Sequence, residues 1–531
     1  MDPAGHSRGT LPGALQRGRR FPPCCSRLRR RAPGDRKLRP DDGLAGGGDR
    51  KPVSIYLGAD IGTTSAKCLA VDDEGNILAL AQHPYGMSHP RQGWAEQDPE
   101  DYWRGLVSVA LGCLEQLRSG GMEPESVAAL ALSTQGDTLI VTDRCGRPLR
   151  PAISWMDARS SAECARLLAE ADQQFWYSET GIRLTPYSSA CAVFWLAANE
   201  PDTLRDGVLC WVPDFLAWRM TGRRIADVPS ASWTPFFNPF ARRWSGKVAE
   251  MAGLLVESLP ETAEAGEAIG RLSPEAAAEL GLPEETPLVA GAFDQAAAAH
   301  GAGAGPGGRW VLSCGTAWVL YAVASQPPRD PEGNLPVCCH VQPDAWGLVL
   351  PFSGGTVFDW FRRTFGTEGD ASEAQSANEP LIFIPHLYGG LCPDWREQSR
   401  GTLVGLTLSH TAGDIELAVM RGLAFETRRN LEAAAPLAGR PERLRMVGGA
   451  TRNALWPQLI ADILDLPVEV LDCAESACYG AARLAAGECA AGWTGGSVRV
   501  IEPRPSRVEA ERALYGRYLD AYRRALEFYR A

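Results

Sequence analysis

Asp60-Ile61-Gly62-Thr63-Thr64 follows an apolar run and places one carboxylate beside a glycine and two hydroxyls. Glycine lets a backbone turn sharply and bring N–H groups close to phosphate oxygens, and the threonine hydroxyls add donors. Asp60, at a strand end, can hold Mg²⁺ directly or through water. The same residues also suit a plain hairpin turn. They are not a P-loop, because no GxxxxGK[ST] occurs. A second carboxylate lies in Gly291-Ala292-Phe293-Asp294-Gln295, where an apolar run (287–291) meets an alanine-rich stretch. Asp294 there suits a general base that accepts a hydroxyl proton as a phosphoryl group arrives. Alone it reads as a helix N-cap. Beside two phosphate-type turns the base reading prevails.

The second such turn is Leu312-Ser313-Cys314-Gly315-Thr316-Ala317, which repeats the order strand, Gly-Thr, strand. Gly-Thr pairs are common, but the matching context points to two related α/β halves with ligand between them. At Gly448-Gly449-Ala450 and Asn453 a strand meets a turn and a helix (454–464) follows. Small residues there let a flat purine and its phosphates approach, although a plain β–α turn has the same pattern. Trp155-Met156-Asp157-Ala158-Arg159 offers an indole face for a sugar ring and charges for its hydroxyls. The alternative is a surface ion pair beside a core tryptophan. Gln135-Gly136-Asp137 adds similar groups.

These residues need elements to hold them. Strands are expected at 53–59, 66–72, 77–82 and 127–133, and again at 310–313 and 318–324. Asp98-Pro99 opens a helix to about Leu117. The glycine-rich stretch 301–308 reads as a hinge, dividing the chain into 51–303 and 304–531. Residues 508–529 read as a closing amphipathic helix with Tyr515, Leu519, Tyr522, Leu526 and Tyr529 on one side.

At 531 residues, 45% hydrophobic and 22% charged, the chain needs at least two domains and is neither wholly disordered, collagen-like nor coiled coil. A net charge of −11 argues against a general nucleic-acid binder, and no apolar run is long enough to span a membrane. Only four of the 53 basic residues are lysine (Lys37, Lys51, Lys67, Lys247), the mark of a GC-rich genome. Residues 1–50 carry eleven Arg and Lys37 against five Asp, a net of +7, and −11 − 7 leaves −18 for the rest. This head reads as a disordered basic extension, with a transit peptide and a nucleic-acid arm as alternatives. The 15 cysteines form no CxxC pair and suit a reducing cytoplasm.

With these segments in order, the chain from about Val53 to Pro503 resembles the FGGY family of carbohydrate kinases. Trp94-Ala95-Glu96-Gln97-Asp98-Pro99 is similar to a xylulokinase-type stretch, and Gly401-x-Leu403-x-Gly405-Leu406 with Asp414-Ile415 and Ala418-Val419-Met420 to the second family signature. The resemblance implies a two-domain actin-like (ribonuclease H-like) α/β ATPase fold with a nucleotide and sugar cleft between the domains. It implies ATP and Mg²⁺ as cofactors and a small sugar or polyol as partner, and it leaves a homodimer open. It implies Asp294 as catalytic base and Asp60 as the metal residue. Gly62, Thr63 and Thr64 would form the first phosphate turn, Gly315 and Thr316 the second, and Gly448, Gly449, Ala450 and Asn453 the adenosine segment. Gln135, Gly136, Asp137, Trp155, Asp157, Arg159, Asp294 and Gln295 would contact substrate.

Four departures bear on the substrate. Ala192 stands where the family carries Lys. Gln135-Gly136-Asp137-Thr138 replaces Gln-Met-His-Gly, which looks more like the polyol and L-ketose branches. Arg421 takes an acidic or amide position, and Pro385–Pro393 lacks Gly-Glu-Arg. The competing readings are an actin-like chaperone or filament protein and a non-catalytic sugar sensor.

Overall fold

The apolar run after Val53 forms the first of three antiparallel strands, β1 (Ile55–Ile61), β2 (Ser65–Asp72) and β3 (Ile77–Pro84), in a computed structural model that describes residues 53–365, 379–473 and 475–530. The basic head lies outside the described residues. Helix α1 (Pro99–Ser119) follows. Asp98 caps it by accepting the Glu100 N–H, and Pro99 fills the first position, where an N–H has no helical partner. Tyr102, Leu106, Val109, Leu114 and Leu117, which recur at roughly helical spacing, are buried. Strands β4 (Val127–Thr134), β5 (Ala268–Arg271) and β6 (Pro287–Phe293) complete a sheet of order β5-β6-β4-β1-β2-β3. Both β1 and β6 run parallel to β4, and the outer pairs are antiparallel. Helix α2 (Asp294–Gly301) leaves the end of β6.

The second half repeats this plan. Strands β7 (Arg309–Cys314) and β8 (Trp318–Ala324) form the hairpin, and β9 (Val337–Cys339) and β10 (Trp346–Phe352) extend it. After the long helix α3 (Ala412–Ala438) come β11 (Arg443–Val447), α4 (Leu455–Leu464), β12 (Val468–Asp472), α5 (Ser476–Ala486) and β13 (Ser497–Ile501). The order is β9-β10-β8-β7-β11-β12-β13, with β7, β11 and β12 parallel. Strand for strand, β10-β8-β7-β11-β12-β13 matches β3-β2-β1-β4-β6-β5 in order and sense. This is the two-domain actin-like α/β fold that the family resemblance implies, built from the two related halves that the repeated Gly-Thr turns suggest. Helix α6 (Pro505–Arg530) closes the chain, and its buried face includes Tyr515 and Tyr522 as expected, with Tyr518 added.

Helices α2 and α5 cross where the two sheets meet. A Cβ on Gly480 would run into the Ala297 carbonyl oxygen, and one on Gly301 into that of Ser476. Glycine at both positions lets the backbones touch. Gly58 of β1 meets α5 in the same way, at the Cys478 oxygen.

A smaller four-stranded sheet (Glu96–Gln97, Ala152–Ile153, Leu139–Thr142, Val208–Trp211) precedes β5 and carries the Trp155–Arg159 segment at its edge. Among the described residues no helix is long and apolar enough to cross a membrane.

Candidate active site

The parallel strands β1, β4 and β6 end side by side. Asp60 is level with Ser133, and Ser133 with Ala292, two residues before Asp294. Ser133 Oγ donates to Asp60 Oδ1 at 2.6 Å. Burial pushes the Asp60 carboxyl up to about 6, against the pull of Ser133 and Lys67. Asp294 is pushed up to about 7, by burial first and by the charge of Asp60 second. The helix N-cap is Phe293, so Asp294 is the first residue of α2, and its Oδ1 accepts the Gln295 N–H at 2.6 Å. A carboxyl that titrates near neutrality can take and release a proton at working pH.

The first Gly-Thr turn is braced from several sides. Tyr85 Oη donates to the Gly62 carbonyl at 2.5 Å, and Gln97 Nε2 to that of Thr63 at 2.8 Å. Trp155 Nε1 donates to Thr63 Oγ1 at 3.0 Å. Thr64 is exposed. Gly315 and Thr316 of the second turn are exposed as well, and their carbonyls accept the N–H groups of Gly355 and Thr356 at 3.1 and 3.0 Å. Gly448, at φ 98°, lies directly under that turn, because a Cβ on it would sit 2.8 Å from the Cys314 oxygen. Gly449 faces open space and Ala450 is half-buried. Asn453 Oδ1 accepts the Leu455 N–H at 2.9 Å and so starts α4. The second turn and the small-residue segment thus form one surface in the second half.

The expected sugar residues divide differently from the sequence reading. Trp155 is 44% exposed, whereas the Asp157 and Arg159 side chains are fully buried. The ion pair is therefore internal and the tryptophan is on the surface. Arg159 Nη2 lies 2.8 Å from both Asp157 and Glu96, and its guanidinium stacks 3.7 Å above the Trp94 ring. Asp157 Oδ2 also accepts the Ala95 N–H at 2.5 Å. The Trp94–Pro99 stretch is thus a frame: Trp94 and Glu96 hold Arg159, and Gln97 holds the Thr63 carbonyl. Gln135 is buried and donates to Gln97 Oε1 at 3.2 Å. Asp137, at φ 52°, accepts the Ser189 N–H at 3.0 Å and lines a small cavity with Trp211, Asp214 and Ser230. Burial pushes its carboxyl up to about 7. Ala192 is buried one turn further along the helix that Ser189 begins.

Three contributors escaped the sequence reading. Lys67 faces Asp60 across the β1–β2 hairpin and pairs with Glu475 at 2.8 Å, which joins the two halves beside the carboxylates. Hairpin register from the Gly-Thr turn would have found it. Gly354-Gly355-Thr356, which props the second turn, is visible as a glycine pair. Trp233 packs against Gly136 through a contact that no local pattern predicts.

Two halves of one topology, each carrying a Gly-Thr turn after its first strand, define an actin-like ATPase. Residues 55–301 match the N-terminal domain, and residues 311–489 the C-terminal domain, of the FGGY family of carbohydrate kinases. The chain belongs to that family, whose members are ATP-dependent phosphotransferases acting on sugar hydroxyls, and the chaperone and filament reading is set aside. It is 30% identical to the xylulose kinase of Escherichia coli (strain K12) over 419 residues, 77% of this chain and 84% of that one. It is 32% identical to the glycerol kinase of Chromobacterium violaceum over 450 residues, 81% and 88% of the two chains. Among solved structures it is similar to a xyloylose kinase from Brucella ovis, with a TM-score of 0.81, 30% identity, and coverage of 88% and 98%.

Proposed function

We propose that the chain phosphorylates one hydroxyl of a small ketose or polyol, a ketopentose such as xylulose or a related compound, with Asp294 as general base. The observation that carries this reading is the placement of Asp60 and Asp294 at the ends of the two strands that flank β4, both with carboxyls held above their usual range. Asp294 takes the acceptor's proton as the acceptor oxygen bonds to the γ-phosphorus and the bond to ADP breaks. Backbone N–H groups of Thr63-Thr64 and Gly315-Thr316 hold the phosphates, and Gly62 shapes the first turn, its own N–H donating to the Ser65 carbonyl at 3.1 Å. Gly448, Gly449 and Ala450 receive the adenosine, with Asn453 fixing the helix behind them. The exposed face of Trp155 lies along the sugar, and Gln295 sits beside it. Asp157 and Arg159 act from behind, by holding the segment that presents Trp155, and Gln135 joins that frame to the phosphate turn.

A divalent cation suits this site, since two carboxylates that disfavour each other's charge gain from one. Asp60 would hold Mg²⁺, which binds through few carboxylates plus phosphate oxygens and supplies charge neutralisation for the phosphates. The halves would move about the glycine-rich stretch 301–308 and exclude water on closing. The thirteen described cysteines are all free, which supports a reducing, cytoplasmic setting.

The test is an ADP-release screen over pentuloses, hexuloses, polyols and aldonates. A ketose or polyol that raises ADP release well above the water-only rate is the expected result. Stimulation by aldonates alone would overturn the acceptor class.

A further inference from the structure

Position 136 lies in the segment expected to touch the sugar, and it has no side chain. The space is nevertheless filled. A Cβ on Gly136 would overlap Trp233 Cδ1 and stand 3.0 Å from Trp233 Nε1. Trp233 follows the short helix Val228–Ser232, far along the chain. Its ring also lies flat on Phe293, with centroids 5.0 Å apart and planes 3° from parallel. Phe293 directly precedes Asp294. The indole therefore wedges between the segment of Gln135–Asp137 and the segment of Asp294.

Trp233 is half-buried, and its Nε1 has no protein acceptor among the described residues. Its neighbours in this region face inward: Gln135 to Gln97 and Asp137 to Ser189. We propose that Trp233 is a specificity-determining residue of the acceptor pocket, supplying the wall that a side chain at position 136 would otherwise supply. Two groups cannot share one volume, so a side chain at 136 and an indole at 233 are alternatives. An indole edge offers apolar carbons and a single N–H donor, which suits the C–H bonds and one hydroxyl oxygen of a small ketose or polyol. The assignment rests on reading Asp294 and its surroundings as the acceptor site.

The test compares wild type with Trp233→Gly, Gly136→Met and the double variant. KM and kcat are measured for D-xylulose, L-xylulose, ribitol and glycerol, together with melting temperature. Trp233→Gly should change the KM ratio between at least two of these acceptors by ~10-fold or more, the scale expected for reshaping an apolar pocket wall. Gly136→Met should lower both melting temperature and turnover, and adding Trp233→Gly should restore the melting temperature. If Trp233→Gly does not fold, Trp233→Phe keeps the stack on Phe293 and removes the N–H, and the same change in ratios is expected. Unchanged ratios in the Trp233 variants, or a double variant no more stable than Gly136→Met, would overturn the proposal. Turnover by Asp294→Ala would instead refute the catalytic reading, so the two failures are distinguishable.

Discussion

Asp60 and Asp294 end two strands that flank the same third strand, and the charge of Asp60 is one reason that the Asp294 carboxyl is held up to about 7. Two consequences have opposite signs. In the proposed role ionised Asp294 is the base, so kcat/KM should rise with pH through an apparent pKa near 7, in coupled steps shared with Asp60. A carboxyl whose pKa is higher folded than unfolded favours the folded state while protonated. That contribution is complete below the unfolded value of 3.8 and is lost as pH rises through about 7. Asp294→Asn stays neutral, so its melting temperature should exceed that of wild type by an amount that grows over this interval and then levels off. Melting curves across the range check this; a gap that narrows with rising pH contradicts it.

Lys67 lies opposite Asp60 in the hairpin register, and its charge pulls the Asp60 carboxyl down. Lys67→Met removes that pull and leaves Glu475 without its 2.8 Å partner. Asp60 then ionises less readily, so, with Asp60 as the proposed Mg²⁺ residue, half-maximal ADP release should need several-fold more Mg²⁺. Lys67→Arg should restore most of the affinity. An unchanged Mg²⁺ titration in Lys67→Met would separate Lys67 from the proposed Mg²⁺ site.

Glu426 anchors the buried join of α3 and α6. Burial alone would raise its carboxyl, but Arg429, His386 and the Tyr518 hydroxyl outweigh that and lower it to about 2. Arg429 Nη1 lies 2.8 Å away, and Tyr518 Oη donates to Glu426 Oε1. A depressed carboxyl stabilises the fold above its unfolded value, 4.5, and loses that effect as pH falls toward about 2. Glu426→Gln should therefore be less stable than wild type near neutrality, by about 3–5 kcal/mol for a broken buried pair. The difference should shrink in acid. Urea titrations at several pH values measure it, and a deficit that persists unchanged in acid would rule the ion pair out as its cause.

Gly480 bears directly on the Ala297 carbonyl where α5 crosses α2. Gly480→Ala has the better helix former but no room for the methyl, so the crossing must open, at a cost of about 1–3 kcal/mol or more. Circular dichroism melting should show the variant less stable than wild type. Equal or greater stability would mean that the helices sit further apart.

Much of the frame was legible because it rests on local chemistry. The runs before Asp60 and Ser313, the Gly-Thr turns after them and the Asp98-Pro99 helix start each declare an element within a few residues. The duplicated halves were visible from those turns. What the sequence withheld lies in contacts between distant segments. Nothing near Arg159 reveals that Trp94 and Glu96 bury it, so the sequence leaves sugar contact and a surface ion pair both open for Asp157 and Arg159, and the exposed group is Trp155. Likewise Gly136 reads as a sugar-contact position, whereas the space beside it is taken by the Trp233 ring. Tyr518 lies three residues after Tyr515 and four before Tyr522, so helical spacing puts it on the same face, while its bond to Glu426 shows only in the fold.

The assignment of Asp294 as general base is tested most directly by acceptor-dependent ADP release from Asp294→Ala. ATP binding and a single cooperative melting transition should be retained, while turnover falls by ~10²-fold or more, as expected when a positioned base is removed. Normal acceptor-dependent ADP release from that variant would contradict the account.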